Sequence, residues 1–236
     1  ILFTAVDKYG RSSSYNFTYK VDLTKPVFDS ITYPASAYIN LPDNYTYRVT
    51  GSVTDEVGGS GLNDVRYIVK AEDVAAPDAA DLDWISAAGL GSWTANVDMS
   101  GKASGVYSLY IMARDTAGNS SVTAKKLIYA DLQAPSLTDI VVSTSTVFNT
   151  DFIIRGNASD PDGYLQKVTA HYTGLSAPVT LILGAGDTWS YTVPVSTSTL
   201  EEGNYTLTIT AFDQSGKTYS YTKTFTVDKT APSISF

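Results

Sequence analysis

The sequence predicts an all-β protein made of tandem β-sandwich modules, each of about one hundred residues and about seven strands. Three observations lead there. Apolar residues alternate with a period of two, the same landmarks return along the chain in one order, and no segment sustains a helical period with caps at both ends. At 236 residues the chain is long enough for two domains that each bury a core.

The first landmark is a linker. Asp22-Leu-Thr-Lys-Pro26, Asp131-Leu-Gln-Ala-Pro135 and Asp228-Lys-Thr-Ala-Pro232 stand 109 and 97 residues apart. A turn precedes each linker: Ala5-Val-Asp7-Lys-Tyr-Gly10, Ala113-Arg-Asp115-Thr-Ala-Gly118 and Ala211-Phe-Asp213-Gln-Ser-Gly216, with 15, 16 and 15 residues from turn aspartate to linker aspartate. Gly105-Val-Tyr107 matches Gly203-Asn-Tyr205, Gly51-Ser-Val-Thr-Asp55 matches Gly156-Asn-Ala-Ser-Asp160, and Trp93 matches Trp189. These landmarks divide the chain into the C-terminal strands of a preceding repeat (1–25), two whole repeats (26–134 and 135–231) and the first strand of a following one (232–236), as expected of an excerpt from a longer array.

The strands follow from the alternation. Tyr47, Val49, Gly51 and Val53 take one face of a strand, as do Phe152, Ile154, Gly156 and Ala158 in the second repeat. Val65, Tyr67 and Val69 form another, as do Trp189, Tyr191, Val193 and Val195. Late in each repeat Tyr107, Leu109, Ile111 and Ala113 correspond to Tyr205, Leu207, Ile209 and Ala211; in the second copy the opposite face carries Thr206, Thr208 and Thr210. Tyr107 and Tyr205 suit tyrosine corners. The segment from Glu72 to Leu82 is rich in alanine and aspartate, but Pro77 at its middle makes it a loop insertion.

With these residues in place the chain resembles the bacterial immunoglobulin-like repeats of large secreted or surface-anchored proteins. Ala113-Arg-Asp115-Thr-Ala-Gly118-Asn119 and Asp228-Lys-Thr-Ala-Pro232 carry the resemblance, which spans essentially the whole chain. It departs where Gly216-Lys217 replaces Gly-Asn and where the middle linker reads Leu-Gln. The resemblance implies immunoglobulin-like Greek-key sandwiches joined by short Pro-containing linkers, and it fixes architecture without fixing activity.

Composition excludes whole classes of chemistry. There is no cysteine, hence no disulfide framework, redox pair, thiolate nucleophile or cysteine-ligated zinc. The single histidine, His171, lies on an outward position of a predicted strand and reads as an unpartnered surface residue. The net charge of −8 suits cations or neutral ligands, not the phosphates of nucleic acid. No apolar run approaches the roughly 18 residues of a membrane span, and no leader-like segment opens the chain.

What chemistry remains gathers at the linkers. The expected topology places Asp22, Asp55, Glu56 and Asp115 at one end of the first whole repeat, and Asp131, Asp160, Asp162 and Asp213 at the same end of the second. Converging carboxylates repel unless solvated or neutralised, and calcium accepts six to eight oxygens from such loops. The expectation is a calcium-stiffened junction, similar in logic to cadherin repeats, with the Asp160-Pro-Asp-Gly163 loop as the better site. The competing reading is that each aspartate caps its own turn. Trp84, which has no counterpart in the second repeat, joins Tyr33, Tyr38 and Tyr45 as an exposed aromatic platform for a glycan or protein. Asn16, Asn44, Asn119, Asn157 and Asn204 head Asn-x-Ser/Thr triplets.

The function expected is mechanical and non-catalytic: a segment of an extracellular surface stalk, filament or adhesin, with calcium as its one candidate cofactor. Its partners would be neighbouring repeats of the same chain. The alternatives are a glycan- or protein-binding module, an accessory segment of a secreted hydrolase, and a self-assembling sheath or surface layer.

Overall fold

A computed structural model of the chain describes residues 1–43, 45–196 and 200–234. Asn44, one of the Asn-x-Ser/Thr asparagines, lies outside the described residues. The strands are β1 (Leu2–Val6), β2 (Ser12–Asn16), β3 (Val27–Thr32), β4 (Tyr38–Asn40), β5 (Thr46–Thr54), β6 (Leu62–Ala71) and β7 (Ile85–Ser86). They continue as β8 (Ala88–Gly89), β9 (Ser92–Asp98), β10 (Gly105–Asp115), β11 (Ser120–Val122), β12 (Lys126–Asp131), β13 (Ser136–Val142) and β14 (Val147–Phe148). The last are β15 (Phe152–Ser159), β16 (Leu165–Tyr172), β17 (Val179–Thr180), β18 (Thr188–Val193), β19 (Gly203–Asp213) and β20 (Thr218–Val227). Among the described residues the one helical element is a 3-10 turn at Ala185–Asp187, and no helix is long and apolar enough to cross a membrane.

The chain forms two compact units. The first comprises Ile1–Ala35, Thr46–Asp98 and Tyr107–Leu127; the second comprises Ser36–Tyr45, Met99–Val106 and Ile128–Phe236.

In the first unit β1 and β2 form an exposed hairpin, and β3, β5, β9 and β8 form one antiparallel sheet in that order. β6 pairs with β10 and β7, and β10 also pairs with β11. The two layers meet where β6 packs on β9, burying Val49, Val65, Ala95, Val97 and Ile111. In the second unit the sheet β13-β15-β18 faces the sheet β14-β20-β19-β16-β17. Between them lies a core of Ile154, Val168, Ala170, Trp189, Leu207, Ile209 and Phe225. The fold is an all-β sandwich of the kind the alternation predicts. Hydrogen-bonded strands with one apolar face can bury it only against a second sheet.

One device appears in both units. Gly51 pairs across strands with Trp93, and Gly156 with Trp189. A Cβ on Gly51 would stand 2.5 Å from the Trp93 ring and 2.3 Å from the Ser30 carbonyl; on Gly156 it would stand 2.8 Å from both the Trp189 ring and the Thr138 carbonyl. At both positions a side chain would collide with the cross-strand indole and with the neighbouring strand's carbonyl, so only glycine fits.

Pro232–Ile234, the described part of the segment expected to open a following repeat, carries no strand here, where it has no ladder to join. One expectation is corrected: Trp84 is not an exposed platform. It is 8 % exposed, packed with Ile68, Tyr110 and Met112, and its indole N–H donates to the Asp78 carbonyl at 2.8 Å. The insertion after β6 folds over the outer face of β6 and β10 and closes a second, smaller core there.

Candidate functional site

The turn aspartates build themselves a common frame. Asp7 Oδ1 accepts the amides of Tyr9 and Arg11 at 2.8 and 3.0 Å, Asp115 Oδ1 that of Asn119 at 2.8 Å, and Asp213 Oδ1 that of Lys217 at 2.8 Å. Gly118 and Gly216 close their turns at φ of 99° and 97°, a left-handed conformation natural to glycine. The linker aspartates do the same over a shorter span. Asp22, Asp131 and Asp228 each accept, through Oδ1, the amide two residues on, from Thr24, Gln133 and Thr230. The turn-capping role is therefore real for all six.

In the two whole repeats the residue four beyond the turn aspartate then reaches for the linker, whereas Arg11, four beyond Asp7, turns back onto the Asp7 carboxylate at 2.7 Å. Asn119 Nδ2 donates to the Asp22 carbonyl at 3.1 Å and to Asp115 Oδ2 at 2.8 Å. At the matching position Lys217 Nζ donates to the Asp131 carbonyl at 2.6 Å. This clasp was not foreseen from sequence. The signal was the change from Asn119 to Lys217 between the two whole repeats, which changes the donor and keeps the contact.

Around the first clasp three carboxylates converge. Asp22, Asp55 and Asp115 each present an oxygen within 4.8 Å of the others. Asp22 Oδ2 accepts the Ser60 amide at 2.6 Å, and the Ser60 side chain, that amide and the Thr24 amide together hold its carboxyl below the usual range. Asp55 Oδ2 accepts the Gly61 amide at 2.8 Å, while its Oδ1 is buried without a partner. Asp115 is 1 % exposed. Gly59 leaves the cradle open: a Cβ there would sit 3.0 Å from Asp55 Oδ2 and 3.1 Å from Asp22 Oδ2. Among the described residues no salt bridge reaches the three. The donor set is all oxygen and acidic, which fits a hard divalent ion such as calcium. Glu56 is exposed and is not one of the three, but its side chain lies beside them: it acts on the Asp22 carboxyl, and its Cγ would be 2.8 Å from a Cβ on Gly59.

The second cluster joins Asp131, Asp160 and Asp162 within the same 4.8 Å limit. Asp160 Oδ1 accepts the amides of Asp162 and Tyr164, and Asp162 Oδ2 accepts Ser104 Oγ and the amides of Leu132 and Gln133, which holds the Asp162 carboxyl low. Asp131 is fully buried. Burial pushes its carboxyl up to about 6. Asp213 is outside the three but 2 % exposed beside them, and Oδ2 of Asp131, Asp160 and Asp213 all lack a partner. Lys217 Nζ stands 3.7 Å from Asp131 Oδ1.

Each aromatic candidate has its own surroundings. Tyr38 stacks on Tyr129 at 4.7 Å and meets Tyr164 edge-on at 5.3 Å, so its ring is spent on packing. Tyr33 lies under Lys126 Nζ at 5.2 Å. Tyr45 alone is widely exposed, at 50 %. Tyr205 donates its hydroxyl to the Glu201 carbonyl at 3.0 Å, a tyrosine-corner contact. His171 is not unpartnered: its Nε2 meets the Leu175 carbonyl at 3.1 Å, and the ring is half-buried.

No protein-family model and no curated protein matches the chain. Solved structures with a similar fold include fibronectin(III)-like modules of Clostridium thermocellum CbhA, at 14 % identity over 84 % of this chain and 93 % of that one, TM-score 0.43. A tetra-tandem repeat from the extending region of a large adhesion protein is 22 % identical with TM-score 0.35; the match covers 97 % of this chain and 56 % of that one. A 1.5-MDa bacterial ice-binding adhesin is 17 % identical over 90 % of this chain and 67 % of that one, TM-score 0.40. The likeness is one of fold: fibronectin III-like modules, adhesin repeats and immunoglobulin-like domains.

Proposed function

We propose that the chain is a non-catalytic structural segment of an extracellular surface stalk, filament or adhesin, with sandwich repeats at 26–134 and 135–231. Its linkers are clasped onto the sandwich that follows them. Calcium at Asp22, Asp55 and Asp115 stiffens the first linker. The observation that carries this reading is the fastening of Asp22 by two independent routes, its carbonyl by Asn119 and its carboxylate by Ser60, where three carboxylates converge and, among the described residues, no salt bridge reaches them. A linker held this way resists bending, and an ion bridging it to the loops after β5 and β10 resists it further.

The test is thermal unfolding of chelated protein as calcium is added. An ion bound at one hundred times its dissociation constant adds about 2.7 kcal/mol to the folded state, so the midpoint rises in the wild type and stays fixed in Asp55→Asn. An unchanged wild-type midpoint removes calcium from the account.

A further inference from the structure

The two linker clusters correspond at two places, Asp22 matching Asp131 and Asp55 matching Asp160; the third member is Asp115 in the first and Asp162 in the second, where Asp213, the counterpart of Asp115, is buried beside the group. They differ at the clasp. Where the first has the neutral amide of Asn119, the second has the ammonium of Lys217, with a side chain 13 % exposed. That ammonium reaches the linker carbonyl at 2.6 Å and lies 3.7 Å from the Asp131 carboxylate. The site it enters is unbalanced without a cation. Asp131 is fully buried with Oδ2 unpartnered, and the Oδ2 atoms of Asp160 and Asp213 are buried and unpartnered as well. A buried carboxylate is retained at low cost only when paired or ligated.

We propose that the Lys217 ammonium is the resident cation of the cluster formed by Asp131, Asp160, Asp162 and Asp213, so that this linker is clasped without metal and the chain takes up one calcium ion, not two. The inference rests on the calcium reading of the first cluster. A divalent ion on Asp131 would sit within a few ångströms of an ammonium already in place, and in a partly buried site that repulsion is weakly screened. One substitution at the fourth residue after the turn aspartate thus decides whether a linker depends on calcium.

Calcium stoichiometry by native mass spectrometry tests this on the chelated chain, its Lys217→Asn variant and its Asp55→Asn variant. The expected counts are one ion for the wild type, two for Lys217→Asn and none for Asp55→Asn. Two ions on the wild type, or one retained by Asp55→Asn, would overturn the inference, and the second arm decides even if Lys217→Asn does not fold. A folded Lys217→Asn variant that binds no more than the wild type would also overturn it. No ion on the wild type and one on Lys217→Asn would sustain the role of Lys217 and refute the calcium reading of the first cluster.

Discussion

Asn119 donates its side-chain amide to the main-chain carbonyl of Asp22 at 3.1 Å, joining residues 97 positions apart in the chain. The same amide group holds Oδ2 of the buried Asp115. Truncation to alanine leaves a buried charged acceptor without that donor, a loss of about 1–3 kcal/mol. Asn119→Ala is expected to lower the urea midpoint by that loss divided by an unchanged slope, and a midpoint equal to the wild type's would mean the clasp contributes nothing.

The paired glycines give a graded prediction. A methyl at Gly51 meets the Trp93 ring and the Ser30 carbonyl at shorter distances than a methyl at Gly156 meets their counterparts. Overpacking of this kind costs about 1–3 kcal/mol. Gly51→Ala is expected to destabilise more than Gly156→Ala in chemical denaturation, and the reverse order would contradict the packing described.

Trp84 separates a structural role from a binding one. Removing a buried indole costs about 3–5 kcal/mol, because Ile68, Tyr110 and Met112 lose their cover. Trp84→Ala is expected to lose stability on that scale, and Trp84→Phe to recover part of it. Full stability in Trp84→Ala would restore the case for an exposed platform.

Asp131 gives a pH dependence. Its carboxyl is raised to about 6 by burial, above the ordinary 3.8, so the folded chain binds the proton more tightly than the unfolded one. The sign follows: the contribution of Asp131 to stability falls as pH rises from about 4 to about 6 and stays low above that. In chelator, Asp131→Asn, which carries no such titration, is expected to gain on the wild type across that window in thermal unfolding. A constant difference from pH 4 to pH 7 would contradict it.

Much of this was legible because the sandwich writes itself into a period of two. The positions of Val49, Ile154 and Leu207 could be read from alternation, and the loops bearing Asp22, Asp55 and Asp115 follow from strand order. Trp84 was misread because it comes from an insertion without a counterpart. The clue lay in the strand beneath it, where Tyr110 and Met112 stand in positions that Thr208 and Thr210 hold in the second repeat: an apolar outer face needs a cover. The stacking of Tyr38 was out of reach for another reason. It arises from a three-residue parallel pairing of β4 with β12, too short to leave a periodic trace.

The most direct test of the calcium-stiffened linker is amide hydrogen exchange with and without calcium at Thr24, Ser60, Gly61 and Asn119, whose N–H groups donate to Asp22, Asp55 and Asp115. Calcium added to chelated protein is predicted to slow exchange at these four amides together. Identical rates in calcium and in chelator would contradict the account.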